Sequence, residues 1–306
     1  MVSTCLPTTL GLLACCSVAC GAATRQGPTD STVGVLAYCY QPVHGPALKE
    51  IWSIAADGSR NRRIVSAAIG VNYPAWSPDG QRLAMVGYVS DHTWSIYIAP
   101  ADGSGLARLT TEPGVLDGDP AWSPDGTQIV FTRERESQNN RPEIWVTDVD
   151  SGVSKWSGLL GMAARWSPDG TRFVYSSGPT SDADILTARV DGTGEVRLTS
   201  SASAEIQPMW SPDGSRIAYV SNADGDFDIY VMDADGSGAT RITDNAVGDF
   251  SPRWSPDGSW IALESELSGP EHWEVYLVRP DGTGWQRVTN TPASATAINP
   301  AWSPIR

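Results

Sequence analysis

Residues 207–243 read QPMWSPDGSRIAYVSNADGDFDIYVMDADGSGATRIT, and this stretch decides the fold. Ser211-Pro212-Asp213-Gly214 has the residue order of a type I turn: Ser opens it, Pro presets φ, Asp tolerates the third position and Gly takes the fourth. Asp235-Gly236 suits the left-handed conformations of a short hairpin turn. The segments between these turns, 216–221 and 228–233, are short and rich in β-formers. The stretch therefore predicts four antiparallel strands: A ending at Trp210, B over 216–221, C over 228–233 and D over 239–243.

The unit repeats along the chain. Trp-Ser-Pro-Asp-Gly begins at Trp76, Trp122, Trp166, Trp210 and Trp254, and a truncated Trp302-Ser303-Pro304 follows, at spacings of 46, 44, 44, 44 and 48. The second turns run in phase, at Asp57, Asp102, Asp150, Asp191, Asp235 and Asp281. A period of about 44 with four strands per unit is the signature of a propeller blade. B strands start near Val35, Arg82, Gln128, Arg172, Arg216 and Trp260, so the first lacks a strand A and the last strand A lacks followers. The two ends complete one blade. The prediction is an all-β, six-bladed β-propeller over 34–306, four antiparallel strands per blade, closed by the C-terminal strand joining the N-terminal blade. The six motif tryptophans are expected to pack between blades.

Composition agrees with this reading. The 306 residues hold 30 Gly, 22 Pro and 13 Trp, and 35 acidic against 21 basic residues give a net charge of -14. Nucleic-acid binding rests on cations that displace counterions from phosphates, so no nucleic acid is expected as a partner. Eleven of the 35 acids are explained by the two turn motifs, and the remaining 24 still outnumber the bases. A basic peptide or protein surface fits that balance. Residues 1–20 read as a signal peptide or lipoprotein signal, with Cys15 and Cys20 as lipidation candidates, and 21–33 as a polar linker. Cys39, in an apolar alternating run, reads as a small core residue.

Pro-x-Trp-Ser-Pro-Asp-Gly, then Ile-Ala-Tyr-x-Ser, then Asp-Ile-Tyr-Val-Met-Asp-x-Asp-Gly, then Arg-Ile-Thr, resembles the WD-repeat-like blades of the TolB family. The resemblance covers residues 34–306. It implies a periplasmic protein that partners other envelope proteins, although TolB carries an α/β domain before its propeller and only about 33 residues stand there in this chain. Similar propellers precede the hydrolase domain of prolyl-oligopeptidase-like enzymes, but no G-x-S-x-G nucleophile elbow occurs.

Strand order places the near-invariant A–B and C–D turns on one face and the varied B–C and D–A loops on the other, where function is expected. Three positions before each motif Trp stand Tyr73, Asp119, Ala163, Gln207, Ser251 and Asn299. Of these, Tyr73, Asp119, Gln207 and Asn299, with nearby Asn72, Asp117, Glu205 and Asp249, form the expected binding set at an acidic, polar channel mouth. Residues 222–228 are rich in carboxylates but lack the Gly and Glu positions of an EF-hand, so Ca²⁺ is a minor alternative to a cofactor-free protein. His44, His92 and His272 are the only histidines, and His92 and His272 fall in B–C loops.

The resulting reading is a monomeric, non-catalytic envelope scaffold that binds a protein or peptide on its varied loops. Its membrane contact is limited to an N-terminal lipid. The alternative is a propeller-only enzyme, a polysaccharide lyase or hydrolase, working at the channel mouth.

Overall fold

The computed structural model describes residues 34–43, 48–66, 69–90, 93–135, 141–177 and 182–304. The segments read from sequence as an export signal, 1–20, and a linker, 21–33, lie outside them, with both lipidation candidates, Cys15 and Cys20, as do His44 and His92. Among the described residues twenty-four strands form six blades of four, each blade an antiparallel sheet with strand A innermost. The A strands are Val71–Trp76, Val115–Trp122, Met162–Trp166, Glu205–Trp210, Asp249–Trp254 and Ala295–Trp302, in blades 2, 3, 4, 5, 6 and 1. Blades 2 and 3 share one larger sheet through a single parallel pairing, Trp94 with Leu116.

The ring closes as the strand count requires. Ala295–Trp302 lies antiparallel to Val35–Pro42, with Leu36 opposite Trp302 and Pro42 opposite Ala295. Closure removes the open edges that invite aggregation. Cys39 is fully buried in the strand that receives this pairing.

Each A–B turn is stapled by its own side chains. In blade 5 the Gly214 N–H donates to the Ser211 carbonyl at 2.9 Å, the Ser211 hydroxyl donates to Asp213 at 2.6 Å, and the Arg216 N–H donates to that hydroxyl at 2.9 Å. Gly214 has φ +72, so a side chain there would be strained. At the C–D turns the backbone abuts the preceding blade: a Cβ on Gly103 would lie 1.9 Å from the Ile64 carbonyl.

The Arg-x-Thr that follows four of the six C–D turns, beginning at Arg108, Arg197, Arg241 and Arg287, also has a structural account. In blade 5, Thr243 Oγ1 accepts from the Ile229 N–H and donates to Asp228, both at 2.9 Å, while Arg241 Nε lies 3.0 Å from Asp228. Thr289 and Arg287 hold Glu274 in the same way in blade 6, and Thr199 and Arg197 hold Asp184 in blade 4. These carboxylates are buried, and the hydroxyl and guanidinium answer their desolvation. The hydroxyl also shortens strand D. It takes the Ile229 N–H from the backbone ladder, so pairing covers only Thr240–Arg241 rather than the 239–243 expected from sequence.

The motif tryptophans fill the layers between blades. Trp122, Trp254 and Trp302 donate their indole N–H groups to Ala75, Met209 and Arg253, each in the preceding blade, at 3.0, 3.3 and 3.0 Å. Arg82 and Arg216 lie over the rings of Trp122 and Trp254, each in the following blade, at 4.7 and 4.8 Å.

Candidate functional site

All six A strands kink at one position. Tyr73, Asp119, Ala163, Gln207, Ser251 and Asn299 have φ between 52 and 55, the left-handed region that costs a residue with a Cβ about 1–2 kcal/mol. The register with strand B shifts at the same place, for example between Ile206 and Met209. In five of the six, Pro follows (Pro74, Pro120, Pro208, Pro252 and Pro300), and its lack of an N–H leaves no donor stranded at the bulge. The kinks form the waist of the central channel.

Hydrogen bonds at this waist run from blade to blade. Gln207 accepts from the Ser251 N–H at 2.8 Å, the Ser251 hydroxyl donates to Asn299 at 3.2 Å, and the Asn299 amide donates to Asn72 at 3.0 Å. Glu264 accepts from the Asn299 N–H and from the Ser251 hydroxyl, and burial holds its pKa above the usual carboxylate range.

The eight residues singled out from sequence divide in two. Tyr73, Asp119 and Asn299 line the channel, and Gln207 ties the waist of blade 5 to that of blade 6. Asn72, Asp117, Glu205 and Asp249 are instead buried inside the blades, each less than a twentieth exposed. Asp117 holds Arg133 with both oxygens, at 2.6 and 2.8 Å, Glu205 accepts from Ser201, and Asp249 accepts from Asn245 at 2.6 Å. Glu205 and Asp249 open the pairing of strand A with strand B, Asp117 pairs two residues further in and Asn72 directly precedes the kink, and all four side chains are packed in the sheet, behind the loops. Burial raises the pKa of Glu205 and Asp249. The carboxylate-rich 222–228 loop is also largely engaged: Asp224 accepts from Tyr230 and lies 3.3 Å from Arg241, and Asp228 accepts from Thr243. His272 Nε2 lies 3.1 Å from Thr291 and 3.2 Å from Glu274.

The varied-loop face carries half-buried aromatic side chains. Phe227, Phe250 and Trp273 form a row across blades 5 and 6, with centroids 5.0 and 5.6 Å apart, and Tyr88 and Trp94 meet edge to face at 5.1 Å on blade 2. Beside the row lies a recess of about 330 Å³, walled by Glu264, Glu271, Trp273 and Gln41.

At the opposite end of the channel, against the Ser-Pro-Asp-Gly turns, lies a cavity of about 400 Å³ lined by the motif tryptophans and prolines. Arg165 and Arg253 project into it from blades 4 and 6. Sequence reading passed over them, although a signal existed: the residue before each motif Trp is Ala75, Ala121, Arg165, Met209, Arg253 and Ala301, and only two of these are charged. Burial pushes both guanidinium pKa values down, that of Arg253 to about 9 with Arg165 as the next cause.

A family model described as the TolB beta propeller domain matches residues 49–205 and 136–304. Among solved structures, the chain is similar to TolB from Acinetobacter baumannii at 23% identity and a TM-score of 0.77, over 90% of this chain and 68% of that one. A TolB-named protein from Agrobacterium tumefaciens matches at 22% identity and a TM-score of 0.67, over 89% of this chain and 99% of that one. An oligogalacturonate lyase in complex with manganese matches at 15% identity and a TM-score of 0.55, over 84% and 73%. No curated protein matches the chain.

Proposed function

The chain belongs to the TolB β-propeller domain family, and from that premise we propose that it is a non-catalytic binding scaffold of the bacterial cell envelope. It takes a protein or peptide on the face that carries the B–C and D–A loops. The observation that carries this reading is the half-buried row of Phe227, Phe250 and Trp273 on that face. Aromatic side chains supply large contact area at low conformational cost and are enriched in protein interfaces.

The rigid ring lowers the ordering cost of binding, because the loops are held at fixed separations before a partner arrives. Tyr73, Asp119, Gln207 and Asn299 would contact a segment that enters the channel. Asn72, Asp117, Glu205 and Asp249 would act from behind, by holding the loop bases. The chain works as an extracytoplasmic monomer, and Cys15 or Cys20 would provide its lipid anchor.

The test is recovery of partners from envelope extracts by the wild type and by a Phe227→Ser/Trp273→Ser variant whose unfolding temperature is first checked. Recovery should fall about tenfold or more, the loss expected of hot-spot aromatics. Equal recovery of every partner would remove the assigned face. Metabolic labelling with a fatty acid tests the anchor, and an unlabelled wild type would remove it.

A further inference from the structure

We infer that the cavity at the turn-face end of the channel is a binding site for an organic monocarboxylate with an apolar body, held by Arg253 with Arg165 beside it. The site lies towards the other end of the channel from the loop face; Tyr73, Asp119 and Asn299 border it at the waist, but its head group is set by Arg253 and Arg165 and does not rest on the reading above.

The walls set the body of the ligand. Indole rings, prolines, Ala75, Ala121 and Met209 surround a space of about 400 Å³, within the range of small-molecule sites. These side chains offer dispersion and hydrophobic contact, which suits an apolar or aromatic group, while Tyr73, Asp119, Asn299, Ser77 and Ser211 complete the lining with polar atoms.

The two arginines set the head group. Arg165 is buried and already engaged: Nη1 donates to the Asp119 carbonyl at 3.2 Å and the Ala164 carbonyl at 2.9 Å, and Nη2 lies 3.7 Å from the Asp119 carboxylate. Arg253 is different. Among the described residues its guanidinium makes one hydrogen bond, from Nη1 to the Pro252 carbonyl at 2.9 Å, and no carboxylate lies within ion-pair distance. Its Nε and Nη2 donors are left for another acceptor.

Charge counting then favours a monoanion. Asp119 answers Arg165. Glu264 is turned to the Asn299 N–H and the Ser251 hydroxyl rather than to Arg253. Arg253 therefore has no direct ion-pair partner among the described residues, Asp119 and Glu264 acting on it only from beyond ion-pair distance, and it stands half-buried beside a second guanidinium, where its charge is costly. The depressed pKa of Arg253, caused by burial and then by Arg165, is the same cost seen from the guanidinium. A carboxylate matches the planar fork of a guanidinium with two parallel hydrogen bonds. A phosphate dianion would bring a second negative charge towards Asp119 and is disfavoured.

This chemistry is shared by a free small acid and by the C-terminal carboxylate of a peptide, and the test separates them. The probes are N-acetylphenylalanine, its amide, a pentapeptide ending in phenylalanine, the same peptide amidated, and inorganic phosphate. Binding is read by calorimetry and by the emission of the cavity tryptophans. An acid that binds about tenfold or more tightly than its amide supports the proposal. If both acids do so the source is either one, and if only the peptide acid does so it is a chain terminus. Arg253→Met should abolish the acid–amide difference, whereas Arg253→Lys should retain part of it.

The contrast between acid and amide uses the unaltered chain, so it decides even if Arg253→Met fails to fold. Equal binding of acid and amide, preference for phosphate, or no binding of any carboxylate at millimolar concentration would overturn the site. So would a folded Arg253→Met that binds the acids as the wild type does.

Discussion

The Ser-Pro-Asp-Gly turns and the channel waist stand a few residues apart on the same strands, yet they vary in opposite ways. At the turns both residue and backbone repeat, because each residue makes a bond the turn requires: the serine staples the aspartate, and the glycine takes φ between 64 and 72. At the waist only the backbone repeats, with φ from 52 to 55 for Tyr, Asp, Ala, Gln, Ser and Asn alike. The kink there is therefore imposed by strand pairing around the ring and not chosen by its occupant. That releases the side chain, so chemistry can change from blade to blade without changing the fold. Arg165 and Arg253, two residues beyond the kink, exploit this freedom.

The comparison can be broken most forcefully at the framework. Trp210→Ala empties an inter-blade layer and should cost about 3–5 kcal/mol in urea unfolding. A loss under about 1 kcal/mol would mean that the tryptophans do not carry the packing. Thr243→Val removes the hydroxyl that serves both Ile229 and Asp228, leaving a buried donor and a buried acceptor short. It should cost about 1–3 kcal/mol by the same measurement.

The waist should respond with the opposite sign. Ala163→Gly relieves a left-handed alanine and should be neutral or stabilising by up to about 1 kcal/mol. Ala218→Gly, in regular strand B of blade 5, should destabilise by about 0.5–1 kcal/mol. Destabilisation of equal size at both sites would show that the kink stores no strain.

The smallest effects are those of pH, and here the aspartates of one blade disagree. Hydrogen bonds from Ser211 and Ser215 lower the pKa of Asp213 to about 2, so the stability it contributes is present above pH 4 and is lost as pH falls towards 2. Burial raises the pKa of Asp228 to about 6, against opposing contributions from Thr243 and Arg241. Its contribution is full below pH 4 and is lost as pH rises through 6. Asp213→Asn should flatten the acid limb of a stability–pH curve. Asp228→Asn should flatten the stretch between pH 4 and 6. Unchanged curves would place both groups at their ordinary values.

Much of this was legible in the chain. A repeat that returns every 44 or so residues with its turn chemistry intact specifies strand number, loop order and closure, because Pro, Gly and Asp act on the backbone within a few bonds. The prolines that follow five of the kinks were visible too. The burial of Asp117 and Asp249 was not. They share the beginning of strand A with loop residues, and only pairing with strand B turns them inward onto Arg133 and Asn245.

The sequence alone determined the six blades, the ring closure and the turn face, since each follows from local conformational preference repeated in register. Only the tertiary structure decided which polar residues face the channel and which the sheet, and that two arginines 88 positions apart share one cavity. Curvature brings blades 4 and 6 together at the axis. No interaction confined to neighbouring residues carries that information.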